Sequence, residues 1–124
     1  MSKFQKISEA EKEVMQIVWS IGNSVSFSTV LNELKIRNKD WKPNTVRTFL
    51  ARLIEKGILT SKKHGGVNEY ILLVSEDEYK RKEARSFLDS VYGGSVKKFI
   101  ASLYEGDNLT TEEIEDLKKW FSQR

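Results

Sequence analysis

Apolar residues recur every three or four positions through most of the chain, which is the period of amphipathic α-helices. The first such segment follows Ser8 and Glu11, which have the spacing of a capping box, where each residue satisfies a free backbone amide of the other. Its apolar positions are Val14, Ile17, Val18 and Ile21. Gly22 then ends the predicted helix, since glycine readily adopts the backbone conformation of a helix end.

Two further helices are predicted before residue 57. Ser26 can cap the second helix, and Pro43 opens the third, because proline is favoured at the first helical position. The apolar face of the second helix is Val30, Leu31 and Leu34. The apolar face of the third is Val46, Phe49, Leu50, Leu53 and Ile54. The opposite face of the third helix carries Asn44, Thr45, Arg47, Thr48, Ala51, Arg52 and Glu55.

The pattern changes after Gly57. Residues 58–63 and 67–72 are predicted as two strands, and residues 64–66, which include two glycines, as the turn between them. Residues 24–25 allow only a short third strand. The order helix, short strand, helix, helix and hairpin is typical of a winged helix-turn-helix. The predicted fold class is therefore mainly α with a small β wing, followed by three C-terminal helices.

The last part of the chain is predicted to form three helices separated by glycine breaks. Their apolar stripes have little to pack against if the first domain is complete at residue 74, and a second copy of the chain is the simplest partner. We therefore expect a winged-helix domain over residues 1–74 and a helical dimerisation domain over residues 75–124. A monomer whose C-terminal helices fold back is the alternative. The expected dimerisation residues are Phe87, Leu88, Val91, Val96, Phe99, Ile100, Leu103, Ile114, Leu117 and Phe121.

The two predicted domains differ in net charge. Residues 1–74 contain 12 Lys and Arg against 7 Asp and Glu, a net charge of +5. Residues 75–124 contain 9 against 11, a net charge of −2. Residues 35–63 alone hold nine basic and two acidic residues, a net charge of +7. This asymmetry favours a polyanion as the partner of the first domain, with a merely solvated surface as the alternative.

The polar face of the third helix suits the recognition of double-stranded DNA. In helix-turn-helix proteins the second helix of the motif enters the major groove, and here that helix begins at Pro43. Arginine can donate two hydrogen bonds to guanine, and threonine methyl groups can contact thymine. The residues expected at base edges are Asn44, Thr45, Arg47 and Thr48. Those expected at phosphates are Lys42, Arg52, Lys62 and Lys63.

Composition argues against most other classes of function. The chain has no cysteine and a single histidine, His64, which leaves no thiolate site and no histidine cluster for a metal. No nucleophile–base pair is visible, so we expect no enzyme activity, no cofactor and no small-molecule substrate. No apolar run reaches the ~18 residues that span a bilayer, and no signal-peptide segment is visible at the N-terminus, so we expect a cytoplasmic location. A hydrolase and a winged-helix protein-interaction module are the rival classes.

Several conspicuous side chains have simpler structural interpretations. Trp19, Trp41 and Trp120 are expected to anchor helices rather than to stack on bases. His64 is expected to be exposed to solvent. A group of basic residues in the fourth helix is expected to pair with acidic residues at helical spacing. Its members are Lys80, Arg81, Lys82 and Arg85.

Several segments together carry a family resemblance. The most specific is the run Trp41-Lys42-Pro43-Asn44-Thr45-Val46-Arg47-Thr48. That run lies within residues 40–50, and the other segments are residues 7–11 with Val14, Met15 and Trp19, and residues 52–57, 70–74, 85–88, 92–94 and 109–114. These segments resemble the penicillinase-repressor family, which includes methicillin-resistance and copper-responsive repressors. Lys42 stands where the family commonly has a helix-capping serine.

The resemblance implies a winged-helix dimer that binds an inverted-repeat operator and represses transcription. In the β-lactam-responsive branch, a membrane sensor protein triggers cleavage of the repressor in its C-terminal helices, and alignment of the double-glycine region places that bond near Ser102 and Leu103. The copper branch senses metal through cysteines, which this chain lacks. We therefore expect a homodimeric repressor of the β-lactam-responsive type, partnered by DNA and by a membrane sensor-protease system. A repressor with a different inducer is the alternative.

Overall fold

The computed structural model describes residues 5–124, which form six helices and three strands. The elements are α1 (Glu9–Ile21), β1 (Ser24–Ser26), α2 (Phe27–Ile36), α3 (Pro43–Glu55), β2 (Leu59–His64), β3 (Val67–Leu72), α4 (Glu76–Tyr92), α5 (Val96–Glu105) and α6 (Thr111–Ser122). Their order confirms the predicted fold class, a mainly helical winged helix-turn-helix followed by three helices.

The capping signals predicted at Ser8, Glu11 and Ser26 form, and α6 has a further capping box. At α1, Ser8 Oγ accepts a hydrogen bond from the Glu11 N–H, and Glu11 Oε1 accepts one from the Ser8 N–H, both at 3.1 Å. The same reciprocal pair joins Thr110 and Glu113 at the start of α6. Ser26 Oγ accepts from the Thr29 N–H at the start of α2. Each bond satisfies a donor that a helix start would otherwise leave free.

The three strands form an antiparallel sheet in the order β1-β3-β2. Leu59 pairs with Leu72 at one end of the hairpin, and His64 pairs with Val67 at the other. Gly65 and Gly66 form the whole turn, with φ values of 56° and 82° that glycine adopts without strain. The prediction that His64 belongs to the turn is wrong, because two left-handed residues are enough to close this hairpin.

The buried core lies between α1, α2, α3 and the sheet. Trp19 anchors α1 as predicted, since its Nε1 donates to the Val74 carbonyl at 3.1 Å and its ring lies 5.5 Å from that of Tyr79. Trp41 also anchors its helix as predicted, with its ring 5.2 Å from that of Phe49. Ile21 is exposed rather than buried, because it is the last residue of α1.

The chain divides into two compact units, the first ending at Lys82 and the second spanning Glu83–Arg124. In the second unit the rings of Phe87, Tyr92 and Phe99 lie 5.3 to 6.0 Å from one another. The assignment of separate functions to residues 1–74 and 75–124 stays a prediction. Within the described residues, no helix is long and apolar enough to cross a bilayer.

A buried carboxylate joins the start of α1 to the end of α3. Glu11 is 2% exposed, and its Oε1 accepts a hydrogen bond from Lys56 Nζ at 2.6 Å. Lys56 is the residue that caps α3, and its ammonium also donates to the Lys6 carbonyl at 3.0 Å. The pair therefore ties the first turn of α1 to the C-terminal end of α3.

Burial alone raises the pKa of the Glu11 carboxyl. The hydrogen bonds from Lys56 and Ser8, together with the positive charges of Lys56 and Arg52, outweigh burial and hold the pKa below its ordinary value. The folded state therefore favours the ionised form. The resulting stabilisation is fully present above the pKa of the unfolded chain, and it is lost as the pH falls through the lower pKa of the folded chain.

We expect Glu11→Gln to lower the free energy of unfolding at pH 7 by about 1–3 kcal/mol, because the amide leaves the Lys56 ammonium without its counter-charge. The difference from the parent chain should shrink as the pH falls below about 4. Urea unfolding at pH 7 and pH 3 measures both effects. Glu9→Gln is the control, since the Glu9 side chain is 93% exposed. A loss of stability that is equal at both pH values would contradict this account.

Candidate nucleic-acid interface

The burial of one side of α3 decides which of its residues face away from the core. Val46, Leu50 and Leu53 are fully buried. Because successive helix residues are rotated by about 100°, the residues on the opposite side of α3 point outward. The exposed residues are Asn44, Thr45, Arg47, Thr48, Ala51, Arg52 and Glu55. The structure therefore leaves all four predicted base-edge residues exposed on the same helix.

The first turn of α3 is built by proline and lacks a side-chain cap. Pro43 is the first helical residue, and Lys42 before it has extended backbone angles. The Lys42 side chain makes no capping hydrogen bond, which confirms the predicted loss of a cap. Lys42 is exposed and stands two residues before the outward-facing Asn44. Its ammonium therefore adds positive charge where this helix begins.

Internal contacts also orient two of the candidate base-reading side chains. The Thr48 hydroxyl donates to the Asn44 carbonyl at 3.0 Å, one turn earlier in α3. With its proton engaged inside the helix, Thr48 offers its methyl group for contact with a thymine methyl. The Arg47 guanidinium stacks on Phe27, with Cζ 4.0 Å from the ring centroid. No sequence pattern points to Phe27, because it lies in a different helix from Arg47.

The two predicted phosphate-binding lysines of the hairpin differ in their surroundings. Lys62 and Lys63 are consecutive in β2 and therefore project to opposite faces of the hairpin. Lys62 lies opposite Glu69, whereas Lys63 lies opposite Asn68. Glu69 Oε2 is also 3.4 Å from Nε2 of His64, which is exposed as predicted. The carboxylate weakens the positive potential around Lys62, so Lys63 is the better candidate for a phosphate contact.

Many large apolar side chains of the second unit are exposed. Those among the predicted dimerisation residues are Phe87, Val91, Val96, Ile100, Leu117 and Phe121. Phe99, Leu103 and Ile114 are half-buried, and Leu88 is 9% exposed, so much of the surface of these four is already covered within the chain. Tyr104, which is not among the predicted dimerisation residues, is also exposed.

The prediction that Trp120 anchors a helix in a core is wrong. Trp120 is 49% exposed, and it contacts Phe121 and Arg124 from its own segment. It therefore extends the exposed apolar surface of α6.

Three of the four basic residues of α4 pair with acidic residues as expected, whereas Arg81 forms no ion pair within residues 5–124. Lys80 lies 3.6 Å from Glu76, and Arg85 lies 2.7 Å from Asp89. Lys82 and Glu78 form a third pair at 3.6 Å. These pairs are spaced four residues apart, as on an ordinary solvated helix face. Within residues 5–124, no group of three or more His, Asp or Glu side chains is arranged to hold a metal ion.

The helix order, the three-stranded sheet and the exposed polar face of α3 define a winged helix-turn-helix protein. Residues 7–123 match the sequence profile of the family described as "Penicillinase repressor". The chain therefore belongs to the penicillinase repressor family, which confirms the resemblance carried by its sequence motifs.

Two curated relatives match the chain over nearly its whole length. The methicillin resistance regulatory protein MecI of Staphylococcus aureus (strain N315) is 33% identical over 123 residues, covering 99% of this chain and 98% of that protein. The penicillinase repressor of Bacillus licheniformis is 37% identical over 117 residues, covering 94% of this chain and 90% of that protein.

Two matching solved structures each cover 64% of this chain. The solution structure of the DNA-binding domain of the repressor BlaI is 39% identical, with a TM-score of 0.54, and the match covers 64% of this chain and 94% of that one. The solution structure of Bacillus licheniformis BlaI, in monomeric form in complex with the blaP half-operator, is 38% identical with a TM-score of 0.52. Its match covers the same shares of the two chains.

Proposed function

We propose that this chain is a dimeric transcriptional repressor that binds an inverted-repeat operator in double-stranded DNA through α3. The observation that carries the proposal is the exposed polar face of α3, in a fold similar to that of BlaI solved with a half-operator. Repression then follows from occupancy, because a protein bound across an operator excludes other proteins from the same DNA.

Each residue of the face has a role that its chemistry suits. Arg47 presents paired N–H donors to O6 and N7 of a guanine, and Asn44 can hydrogen-bond an adenine or a phosphate. The methyl groups of Thr45 and Thr48 contact thymine. These are the groups that distinguish one base pair from another in the major groove.

The flanking cations position the helix without reading sequence. Lys42 precedes the first turn of α3, Arg52 lies on the opposite edge of the polar face from Arg47, and Lys63 lies in the hairpin. Contacts from such groups to phosphates release condensed counterions, so they make binding depend steeply on salt concentration.

Arg47→Ala tests the reading of bases by α3. Genomic fragments that co-purify with the chain should share an inverted repeat, and a duplex carrying it is the probe. We expect the variant to lose preference at one base pair of each half-site, at a cost of about 1–3 kcal/mol per half-site. Lys63→Ala should weaken binding to all duplexes equally and reduce the salt dependence.

Fluorescence anisotropy titrations at several salt concentrations measure both effects, with Lys97→Ala in α5 as the control for a lost exposed lysine. Unchanged base preference in Arg47→Ala would refute the assignment of α3. Failure of the parent chain to bind any duplex in a salt-dependent manner would instead favour a protein-interaction module.

The proposed dimer is formed by the second unit. Val91 is 58% exposed, and exposed apolar side chains also occur on α5 and α6. Apolar surface of this kind marks association sites in soluble proteins, and most homo-oligomers are symmetric dimers. A dimer with two linked recognition helices binds a two-half-site operator more tightly than a monomer does. Once one helix is bound, binding of the other helix to its half-site is effectively intramolecular.

We expect Val91→Glu to raise the dimer dissociation constant by about tenfold or more, because two carboxylates would enter an apolar interface. Affinity for the full operator should fall, while affinity for a half-site should stay unchanged. Ser90→Glu places the same charge on the neighbouring exposed position as the control. Sedimentation velocity gives the mass; a parent chain that stays monomeric at micromolar concentration would contradict the dimer.

Derepression is proposed to follow cleavage between Ser102 and Leu103, triggered by a membrane sensor-protease system that responds to β-lactams. Ser102 is exposed in α5. A cut after it separates α6, with its apolar side chains, from α4. The dimer would then lose part of its apolar interface, and the affinity for the operator would fall with it.

Mass spectrometry of the chain from β-lactam-treated cells tests this step. We expect fragments ending at Ser102 and beginning at Leu103 under derepression, and an intact chain in untreated cells. An intact chain in fully derepressed cells would refute cleavage and point to a different inducer.

The proposed function requires no catalytic step, cofactor or small-molecule substrate of this chain. Because the chain must reach its operator DNA, we propose a cytoplasmic location for it.

A further inference from the structure

A single aromatic ring lies under the arginine that is proposed to read DNA. The Arg47 guanidinium carbon is 4.0 Å from the centroid of the Phe27 ring, which is the distance of a direct cation–π stack. Phe27 is the first residue of α2, and Arg47 lies in α3. The contact therefore links the two helices of the helix-turn-helix at its outer surface.

The Phe27 ring is anchored in the first unit rather than surrounded by solvent. Phe27 is half-buried and packs against the hydrophobic core of the first unit. The backbone on its N-terminal side is held by Ser26, whose hydroxyl caps α2 through the Thr29 N–H. A guanidinium that rests on this ring therefore has its position set by the core.

Stacking leaves the hydrogen-bonding edge of Arg47 available. The N–H donors of a guanidinium lie in its plane, whereas the aromatic ring occupies one of its faces. Within residues 5–124, the Arg47 guanidinium forms no hydrogen bond or ion pair, so no acceptor competes for those donors. An arginine held in this way loses less conformational entropy when it binds a base than a freely rotating one.

We propose that Phe27 is a positioning residue that holds the Arg47 guanidinium for base reading and so contributes to operator specificity. This inference rests on the proposed function. It differs from a purely structural role, because a structural residue would affect all DNA sequences equally. It also differs from a role in which the ring holds Arg47 away from DNA, because removal of the ring would then improve recognition.

The test compares Phe27→Leu with the parent chain by anisotropy titration against the selected duplex and duplexes in which each base pair is replaced in turn. We expect Phe27→Leu to reduce discrimination about two- to fivefold, only at the base pair whose preference Arg47→Ala abolishes. Phe27→Tyr should keep the discrimination. In the Arg47→Ala background, Phe27→Leu should have no further effect.

Phe49→Leu is the matched control, because it removes a half-buried ring that packs on Trp41. A uniform loss of affinity in Phe27→Leu, as in a merely destabilised control, would overturn the proposal. So would increased discrimination. Full discrimination in Phe27→Leu would overturn the proposal for Phe27 alone. A parent chain that binds without sequence preference would instead overturn the proposed function itself.

A second measurement remains decisive if Phe27→Leu does not fold. In the free parent chain, the ring current of Phe27 should shift the Arg47 side-chain proton resonances upfield in NMR spectra. Phe27→Tyr should retain that shift. Resonances at the positions of a solvated arginine would show that the stack is not maintained in solution and would overturn the proposal.

Discussion

The burial of Val46, Leu50 and Leu53 determines how α3 is rotated, and the proposed DNA-binding surface depends on that rotation. Each such aliphatic side chain contributes about 1.5–3 kcal/mol when it is removed from water. A rotation of α3 by one residue, about 100°, would expose part of this stripe and move exposed polar residues towards the core. Burying an unpaired charge is costly. Both the exposure of apolar side chains and the burial of polar ones therefore oppose such a rotation.

Local signals in the sequence predicted most of the fold. The capping box at Ser8 and Glu11, the proline at position 43 and the paired glycines of the hairpin each specify a backbone conformation over a few residues. The helical stripes then identify the buried faces, and with them the exposed face of α3. These inferences succeed because the interactions they rely on lie within one helix or one turn.

Features that depend on contacts between distant segments were not predictable in this way. The Glu11–Lys56 pair and the Phe27–Arg47 stack join residues from different elements, and neither has a spacing that a sequence pattern reveals. Trp120 shows the converse error. Its size and apolar character suggested a core anchor, but the neighbouring helices provide no core at its position, and it stays half-exposed. Such contacts follow from the tertiary arrangement and not from local periodicity.

The two units carry different kinds of exposed surface, one polar and basic on α3, the other apolar on α4, α5 and α6. We propose that DNA binds the first surface and that α3 makes the contact. An amide NMR titration of the full chain with the selected operator duplex tests this most directly. The largest shift changes should fall on residues 42–48 and 52, with smaller ones at the hairpin. Changes confined to α1 or α6, with those of α3 unaffected, would contradict it.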